Sequence, residues 1–214
     1  MSDRPYSINE AAFVVERPAK VLTREFDEGV LSSGLKAKGN KLGRHIRVFG
    51  PSELRFFRLM KHWENDFTPD GRRNVFRCVR NMGPHDKYLV WRNARYDMSP
   101  IDQELKQREA SLEALRSKFV RTDGDVFFEG TDISAYRVAA LTESQSIDEI
   151  AEDYPSLTLA MIKDAIDYEK VYPKKGKPYP TRSLKRTLID MGRSLDSETL
   201  DLLFGEAGPA VRED

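Results

Sequence analysis

The sequence predicts a mainly α-helical protein with two small folded parts, and three observations support this prediction. Apolar residues recur at helical spacing through most of the chain, and serine, threonine, proline or glycine stands where helices are expected to begin or end. Segments that alternate as strands are short, as in residues 44–49. The length of 214 residues suits one large or two small cores.

The N-terminal residues predict two short helices joined by a tight turn. Ser7 and Glu10 have the spacing of a capping box, so a helix is expected after Ser7. Pro18 stands where a second helix, running to about Asp27, begins. This layout is typical of a helix-turn-helix. A glycine-rich basic loop over 29–43 and a short strand follow, which we interpret as a wing on a DNA backbone or as a solvated loop.

Further elements are expected along the rest of the chain. Helices should begin near Pro51 and after Thr68, a strand should cover 87–91, and a long helix should follow Ser99. A second domain should open with a strand near residue 126 and continue as three short helices, followed by an extended basic tail and a helical patch around 195–204. The expected division is 1–96 (helix-turn-helix domain), 97–120 (connecting helix), 121–173 (small three-helix domain with short β elements) and 174–214 (basic tail).

Charges are distributed in four blocks, although the formal net charge is +0. Residues 17–96 carry 18 Lys or Arg against 8 Asp or Glu, whereas residues 122–169 carry 2 against 12. Residues 170–193 carry 8 against 1, and residues 194–214 carry 1 against 6. A surplus of positive charge beside a helix-turn-helix favours a polyanion such as DNA as ligand of the first block. The acidic block would repel phosphates and is assigned to dimerisation or partner contact.

The predicted DNA contacts therefore lie in the first block. Groove contacts are expected from the second helix and phosphate contacts from the loop and strand, and simple surface solvation is the alternative for each residue. The groove set is Arg17, Lys20, Thr23 and Arg24, and the phosphate set is Lys36, Lys38, Lys41, Arg44 and Arg47.

Several classes of protein are disfavoured by the sequence. No apolar run approaches the roughly 18 to 20 residues of a membrane span, and no secretory signal or cysteine pair is evident, so a cytoplasmic protein without membrane contact is expected. His45, His62 and His85 lack metal-ligand spacing, and the carboxylates of 123–132 lack that of a calcium loop. Phosphate loops, dinucleotide fingerprints and nucleophile elbows are missing. We therefore expect no enzyme, catalytic residue, metal or cofactor.

Residues 126–173 resemble the small helical domain of VapB-type antitoxins. The matching positions are Gly130, Thr131, Ile133, Ile150, Tyr154, Pro155, Leu157, Thr158, Ile162, Ala165 and Tyr168. Residues 6–22 and 52–81 look like the winged or MerR-like helix-turn-helix that precedes this domain in the same antitoxins. The resemblance implies an antitoxin of a type II toxin-antitoxin system, which represses its own operon and neutralises a toxin, commonly a PIN-like, metal-dependent ribonuclease.

The basic tail is the expected toxin-binding region. A PIN-like nuclease concentrates carboxylates at its metal site, and an arginine-bearing segment anchored by Leu184 and Leu188 would pair with them. A disordered solubilising tail is the alternative. The expected toxin contacts are Lys174, Lys175, Lys177, Arg182, Lys185 and Arg186.

Operator recognition by one short helix reads few base pairs, so a homodimer on two half-sites is expected. A stand-alone MerR-like regulator without a toxin is the rival function, and an interaction adaptor is a third.

Overall fold

A computed structural model of the chain describes residues 4–31, 35–38, 45–63, 66–83 and 85–194, and these residues form two compact units. Unit 1 comprises 4–119 together with 170–173, and unit 2 comprises 120–169 together with 174–194. The prediction of a mainly helical protein is confirmed, because the described residues are largely helical and contain only short two-stranded sheets. The predicted helical patch at 195–204 lies outside the described residues.

Unit 1 contains five helices and two antiparallel hairpins within its described residues. In chain order they are α1 (Ile8–Val15), α2 (Ala19–Asp27), β1 (Leu35–Lys38), β2 (His45–Val48), α3 (Pro51–Trp63), α4 (Pro69–Arg80), β3 (Tyr88–Trp91), β4 (Ala94–Asp97) and α5 (Ser99–Ser117). Leu35 faces Val48 in the first hairpin, and Leu89 faces Tyr96 in the second. β4 was not predicted, because its sequence, ARYD, is too polar to stand out as a strand.

The turn between α1 and α2 has the signals expected from the sequence. The capping box is present, since the Ser7 hydroxyl accepts from the Glu10 amide and the Glu10 carboxylate accepts from the Ser7 amide. Glu16 ends α1 in the left-handed region, with φ of 54°. Pro18 then precedes α2 directly. Left-handed geometry followed by proline makes the break between the helices sharp.

The core of unit 1 lies between α1, α3 and α5. Val14, Leu54, Phe57, Leu105 and Leu112 are all fully buried there. The expected connecting helix at 97–120 is thus α5, which packs within unit 1 against α1 and α3. None of the described helices has the length and apolarity needed to cross a bilayer.

Unit 2 begins with a two-stranded sheet and continues with four helices within the described residues. The elements are β5 (Phe119–Thr122), β6 (Asp125–Phe128), α6 (Ala135–Leu141), α7 (Ile147–Asp153), α8 (Leu159–Val171) and α9 (Leu184–Ser194); residues 170–173 at the end of α8 group with unit 1. The hydroxyls of Ser134 and Ser146 cap α6 and α7, and that of Thr158 accepts from the Met161 amide at the start of α8.

The tail differs from the extended segment that the sequence predicted. Residues 184–194 form α9, and residues 174–194 group with the helical domain. Lysine, glycine and proline at 174–180 favour an extended chain, and this part contains no helix or strand. The helix starts only after Ser183, whose hydroxyl accepts from the Arg186 amide as an N-terminal cap.

Candidate nucleic-acid and partner-binding surfaces

The second helix presents two of the predicted groove residues to solvent. Lys20 and Arg24 are exposed and four residues apart, one turn along α2, whereas Leu22 and Glu25 are fully buried. Arg24 forms a long ion pair with Glu28, at 3.7 Å. The Thr23 hydroxyl donates to the carbonyl of Ala19 at 3.1 Å, so its methyl and hydroxyl groups stay close to the helix.

Arg17 is placed differently from the other predicted groove residues. Its side chain is buried, and its guanidinium donates to the backbone carbonyl of Phe57 at 3.3 Å. The group ties the turn before α2 to α3. A buried guanidinium cannot reach a base edge without losing this hydrogen bond. We therefore interpret Arg17 as a residue that positions α2, and the proposed DNA surface does not include it.

A buried ion pair holds α2 from behind. The Glu25 carboxylate is fully buried and accepts from Arg72 Nε at 3.1 Å, and Arg72 also contacts Glu28. Burial raises the pKa of the Glu25 carboxyl, and the adjacent Arg72 opposes this rise. Removal of one partner of a buried ion pair is destabilising, because the other charge is then left without compensation in a place that water does not reach. The orientation of α2 therefore depends on Arg72 of α4.

The first hairpin contains predicted phosphate contacts, some of which lie outside the described residues. Lys36 lies opposite Arg47 and Lys38 opposite His45 in the strand register. Lys41 and Arg44 lie outside the described residues. Arg47 is exposed, pairs with Asp27 at 3.5 Å and lies over the Phe26 ring at 5.0 Å. These contacts place the exposed end of β2 beside the last turn of α2.

Much of the positive charge counted along the first block is neutralised by ion pairs inside unit 1. Arg55 makes a two-bond pair with Asp102, at 2.7 and 2.9 Å. Arg58 donates to Glu104 at 2.8 Å and to Glu16 at 2.7 Å. Both arginines are buried, and two of their partners lie in α5, beyond the residues over which the surplus was counted. The surface of unit 1 is consequently less basic than a count along the sequence suggests.

Glu16 is the centre of this internal network. It accepts from Arg58 and from Lys61 at 2.9 Å and lies 3.6 Å from Arg108. The hydrogen bonds from Arg58 and then Lys61 lower the pKa of the Glu16 carboxyl to about 2. The left-handed residue that ends α1 thus also joins α1 to α3 and α5.

Sequence reasoning missed a second group of cations in unit 1. Five exposed residues of α4 and the β3–β4 hairpin form no ion pair with any carboxylate of the described residues. They are Arg77, Arg80, Lys87, Arg92 and Arg95. The charge count contained all five, but only the internal pairing of the other arginines distinguishes them.

In unit 2 the lysine that opens the tail lies between two tyrosines. The Lys174 ammonium is 5.5 Å from the Tyr136 ring centre and 5.0 Å from that of Tyr179. The Tyr179 hydroxyl donates to Asp125, and this bond together with burial raises the pKa of Tyr179. Lys175 and Lys177 are exposed. The cation–ring contacts of Lys174 and the hydrogen bond from Tyr179 to Asp125 therefore attach the start of the tail to the helical domain.

Asp153, at the end of α7, is the main attachment point for α9. Its side chain is 2% exposed, accepts from Ser183 Oγ at 2.6 Å and from Gln145 Nε2 at 2.9 Å, and lies 3.2 Å from Lys185 Nζ. Burial raises the pKa of the Asp153 carboxyl, but the hydrogen bonds from Ser183, Gln145 and Lys185 outweigh this and leave the pKa below the ordinary range. The carboxylate therefore stays charged inside unit 2.

The tail cations are thus engaged within their own chain. Arg186 donates to Glu152 at 2.8 Å and lies within 3.5 Å of both Asp153 and Glu149, and Arg182 pairs with Asp190 at 2.5 Å. In the described tail, only Lys175 and Lys177 of the six predicted toxin contacts are exposed without such a partner.

The apolar side of α9 faces solvent. Leu184, Leu188 and Met191 are 72%, 67% and 56% exposed. Their spacing of four and three residues places them on one face of the helix, which we call the α9 stripe. Amphipathic helices usually bury their apolar face. In α9 the polar side chains make the contacts with the rest of unit 2, and Leu184 and Leu188 are accessible to a partner.

One comparison with known proteins gives a match. The family model described as a protein of unknown function, DUF433, matches residues 121–168, which run from β5 to α8. No curated protein and no solved structure matches the chain. The matched segment overlaps, over residues 126–168, the part of the chain whose sequence resembles the small antitoxin domain, and it leaves unit 1 and the tail without a family.

Proposed function

We propose that this chain is the antitoxin of a type II toxin-antitoxin pair. On this proposal it is a homodimer that binds its own operator through unit 1 and neutralises a PIN-like ribonuclease through the C-terminal part of unit 2. The observation that carries the proposal is the α9 stripe, an exposed apolar helix face that is held outward by polar contacts. Amphipathic helices that enter an apolar groove of a partner use such a face.

The order of elements in unit 1 supports operator binding. α1 and α2 are two short helices joined by a sharp turn, and the β1–β2 hairpin follows α2, as a wing follows a recognition helix. Lys20 and Arg24 occupy the exposed face of α2, and Arg47 lies beside its last turn. These three cations form the DNA surface that we propose.

The internal pairing of the tail changes the proposed mode of neutralisation. The sequence suggested that Arg182, Lys185 and Arg186 plug a carboxylate-lined nuclease site, yet each already has a carboxylate partner in its own chain. We propose that the α9 stripe binds the toxin first, because Leu184 and Leu188 are largely exposed and hold no ion pair that a toxin would have to displace. The toxin surface that fits the stripe is an apolar groove.

The test is co-expression with the product of the reading frame adjacent to this gene. Leu188→Asp places a charge in the centre of the stripe and is expected to abolish rescue from toxicity. The matched control is Leu159→Asp, since Leu159 of α8 is also a leucine of unit 2, is 48% exposed and lies outside the stripe. The control should rescue like wild type, and both variants should bind promoter DNA like wild type.

Rescue by Leu188→Asp at the wild-type level would contradict the proposed toxin contact. A neighbour that is not toxic in the absence of this chain would contradict the antitoxin function itself and leave a stand-alone MerR-like regulator as the function of unit 1.

A further inference from the structure

We infer that the end of α4 and the β3–β4 hairpin form a second phosphate-binding surface for duplex DNA, separate from α2 and the first hairpin. The inference rests on the proposed function in taking DNA as the ligand of unit 1. We call this region the α4–hairpin surface, and its cations are Arg77, Arg80, Lys87, Arg92 and Arg95. α4 packs against β3, so the five cations belong to two elements in contact.

Ion pairing distinguishes the other arginines of unit 1 from the cations of the α4–hairpin surface. Arg55, Arg58 and Arg72 are buried against carboxylates, and Arg73 pairs with Asp70 at 2.6 Å. Within the described residues none of the five cations of the α4–hairpin surface forms an ion pair with a carboxylate, and only Lys87 lies near enough to one, Asp97, to lower its pKa. Exposed cations that are not neutralised by ion pairs attract polyanions and are the usual ligands of phosphates.

The carboxylates in the same segment are few and occupied. Residues 77–97 contain five Lys or Arg and two Asp, a surplus of 3. Asp86 accepts from the Gly83 amide at 2.7 Å, and Asp97 accepts from the Ser99 amide at 2.9 Å. The hydrogen bonds from Ser99 lower the pKa of the Asp97 carboxyl. Both carboxylates therefore serve the backbone at the base of the hairpin and leave the arginines unpaired.

The hairpin arginines are oriented by aromatic rings. The Arg95 guanidinium lies 3.6 Å from the Tyr88 ring centre, and that of Arg92 lies 4.6 Å from the Trp91 ring centre. Stacking fixes a guanidinium through its face while the N–H groups along its edge stay available as donors. A planar group held in this way is suited to two-bond contacts with phosphate oxygens.

The backbone at the tip of the β3–β4 hairpin has an unfavourable conformation at Arg92. Trp91 faces Ala94 in the register, so Arg92 and Asn93 form a two-residue loop. Arg92 has φ of 54°, in the left-handed region where such loops prefer glycine or asparagine. A strained arginine at an exposed tip supports a functional contact for its charge.

The experiment measures binding of the full chain to two duplexes of equal length, one with the promoter of its own gene and one unrelated, over a series of salt concentrations. Each phosphate contact adds about 0.9 to the slope of log affinity against log salt. Arg92→Gln with Arg95→Gln should therefore reduce this slope by about 1.8 on both duplexes, with an unchanged ratio between them. Arg92→Lys with Arg95→Lys should keep most of the slope.

The matched control is Lys106→Gln with Arg116→Gln, which removes two exposed positive charges from α5 of the same unit. Its slope should stay near that of wild type. Equal slopes for the hairpin variant and this control would overturn the inference, and so would a change in oligomeric state caused by the hairpin variant, since that would assign the surface to protein contact.

Failure of the proposed function gives a different result. Wild-type protein that binds both duplexes equally would contradict operator recognition, and the slope of the hairpin variant would still decide the inference. Wild-type protein that binds neither duplex would overturn both.

Discussion

Replacing Asp153 by alanine removes the carboxylate that Ser183, Gln145 and Lys185 share at the junction of α7 and α9. Opening of α9 normally breaks the bond from Ser183 Oγ, at 2.6 Å, to a carboxylate that is 2% exposed. A buried hydrogen bond to a charged group contributes about 2 kcal/mol. Without this carboxylate, opening of α9 should become easier by that amount, a factor of about 30 in the equilibrium.

The neighbouring variant Glu152→Ala is the matched control. Glu152 also bonds to the tail, through Arg186 at 2.8 Å, but its side chain is 69% exposed. Exposed ion pairs contribute about 0 to 1 kcal/mol, which corresponds to a factor of at most about 5. The two variants remove adjacent carboxylates of one helix, so the difference between their effects on the opening of α9 measures the contribution of burial.

Amide hydrogen exchange resolved along the chain measures the opening. The amides of α9, including that of Thr187, which donates to the Ser183 carbonyl at 3.0 Å, should exchange about 30-fold faster in Asp153→Ala. The amides of α8 should be unaffected. Equal acceleration in both variants, or none in Asp153→Ala, would refute the assignment of Asp153 as the attachment point of α9.

Two predictions concern unit 1, which contains both tryptophans, Trp63 and Trp91, and can therefore be followed by tryptophan fluorescence. Glu25→Ala removes one of the two carboxylates that pair with the buried Arg72 and leaves Glu28 and the Phe67 carbonyl as its acceptors. The free energy of unfolding in urea should therefore fall by about 1 to 3 kcal/mol, against about 0 to 1 for Arg24→Ala. Similar losses in the two variants would contradict this. The lowered pKa of Glu16 should add stability above pH 4.5 that disappears as the pH falls towards 2, about 1 kcal/mol after solvent screening. Glu16→Gln should remove this pH dependence.

Local signals made most helices predictable. Both serine capping boxes and Thr158 mark helix starts through hydrogen bonds that the same short segment completes, and each is present in the structure. Pro18 marks the start of α2 through its fixed backbone angle. The β3–β4 pairing was missed because β4 is only four residues long, and the alternation of Ala94 and Tyr96 with two charged residues is too short to distinguish a strand from a loop without its partner.

The candidate surfaces were harder to predict because charge along a sequence does not reveal which charges are paired. Arg17 and Arg58 look like surface cations in the sequence, yet tertiary contacts bury both. The tail shows the same limit: Lys185 and Arg186 were predicted to pair with carboxylates of a toxin, but both lie against Asp153 of their own chain. Such pairings join residues 30 to 47 positions apart and have no local signature.

Operator binding is the central claim, and equilibrium binding of the full chain to the promoter of its own gene tests it most directly. At about 150 mM salt, affinity for the promoter duplex should exceed that for an unrelated duplex by at least about 10³-fold. Lys20→Ala should reduce this preference. Equal affinity of the wild-type chain for the two duplexes would contradict the account.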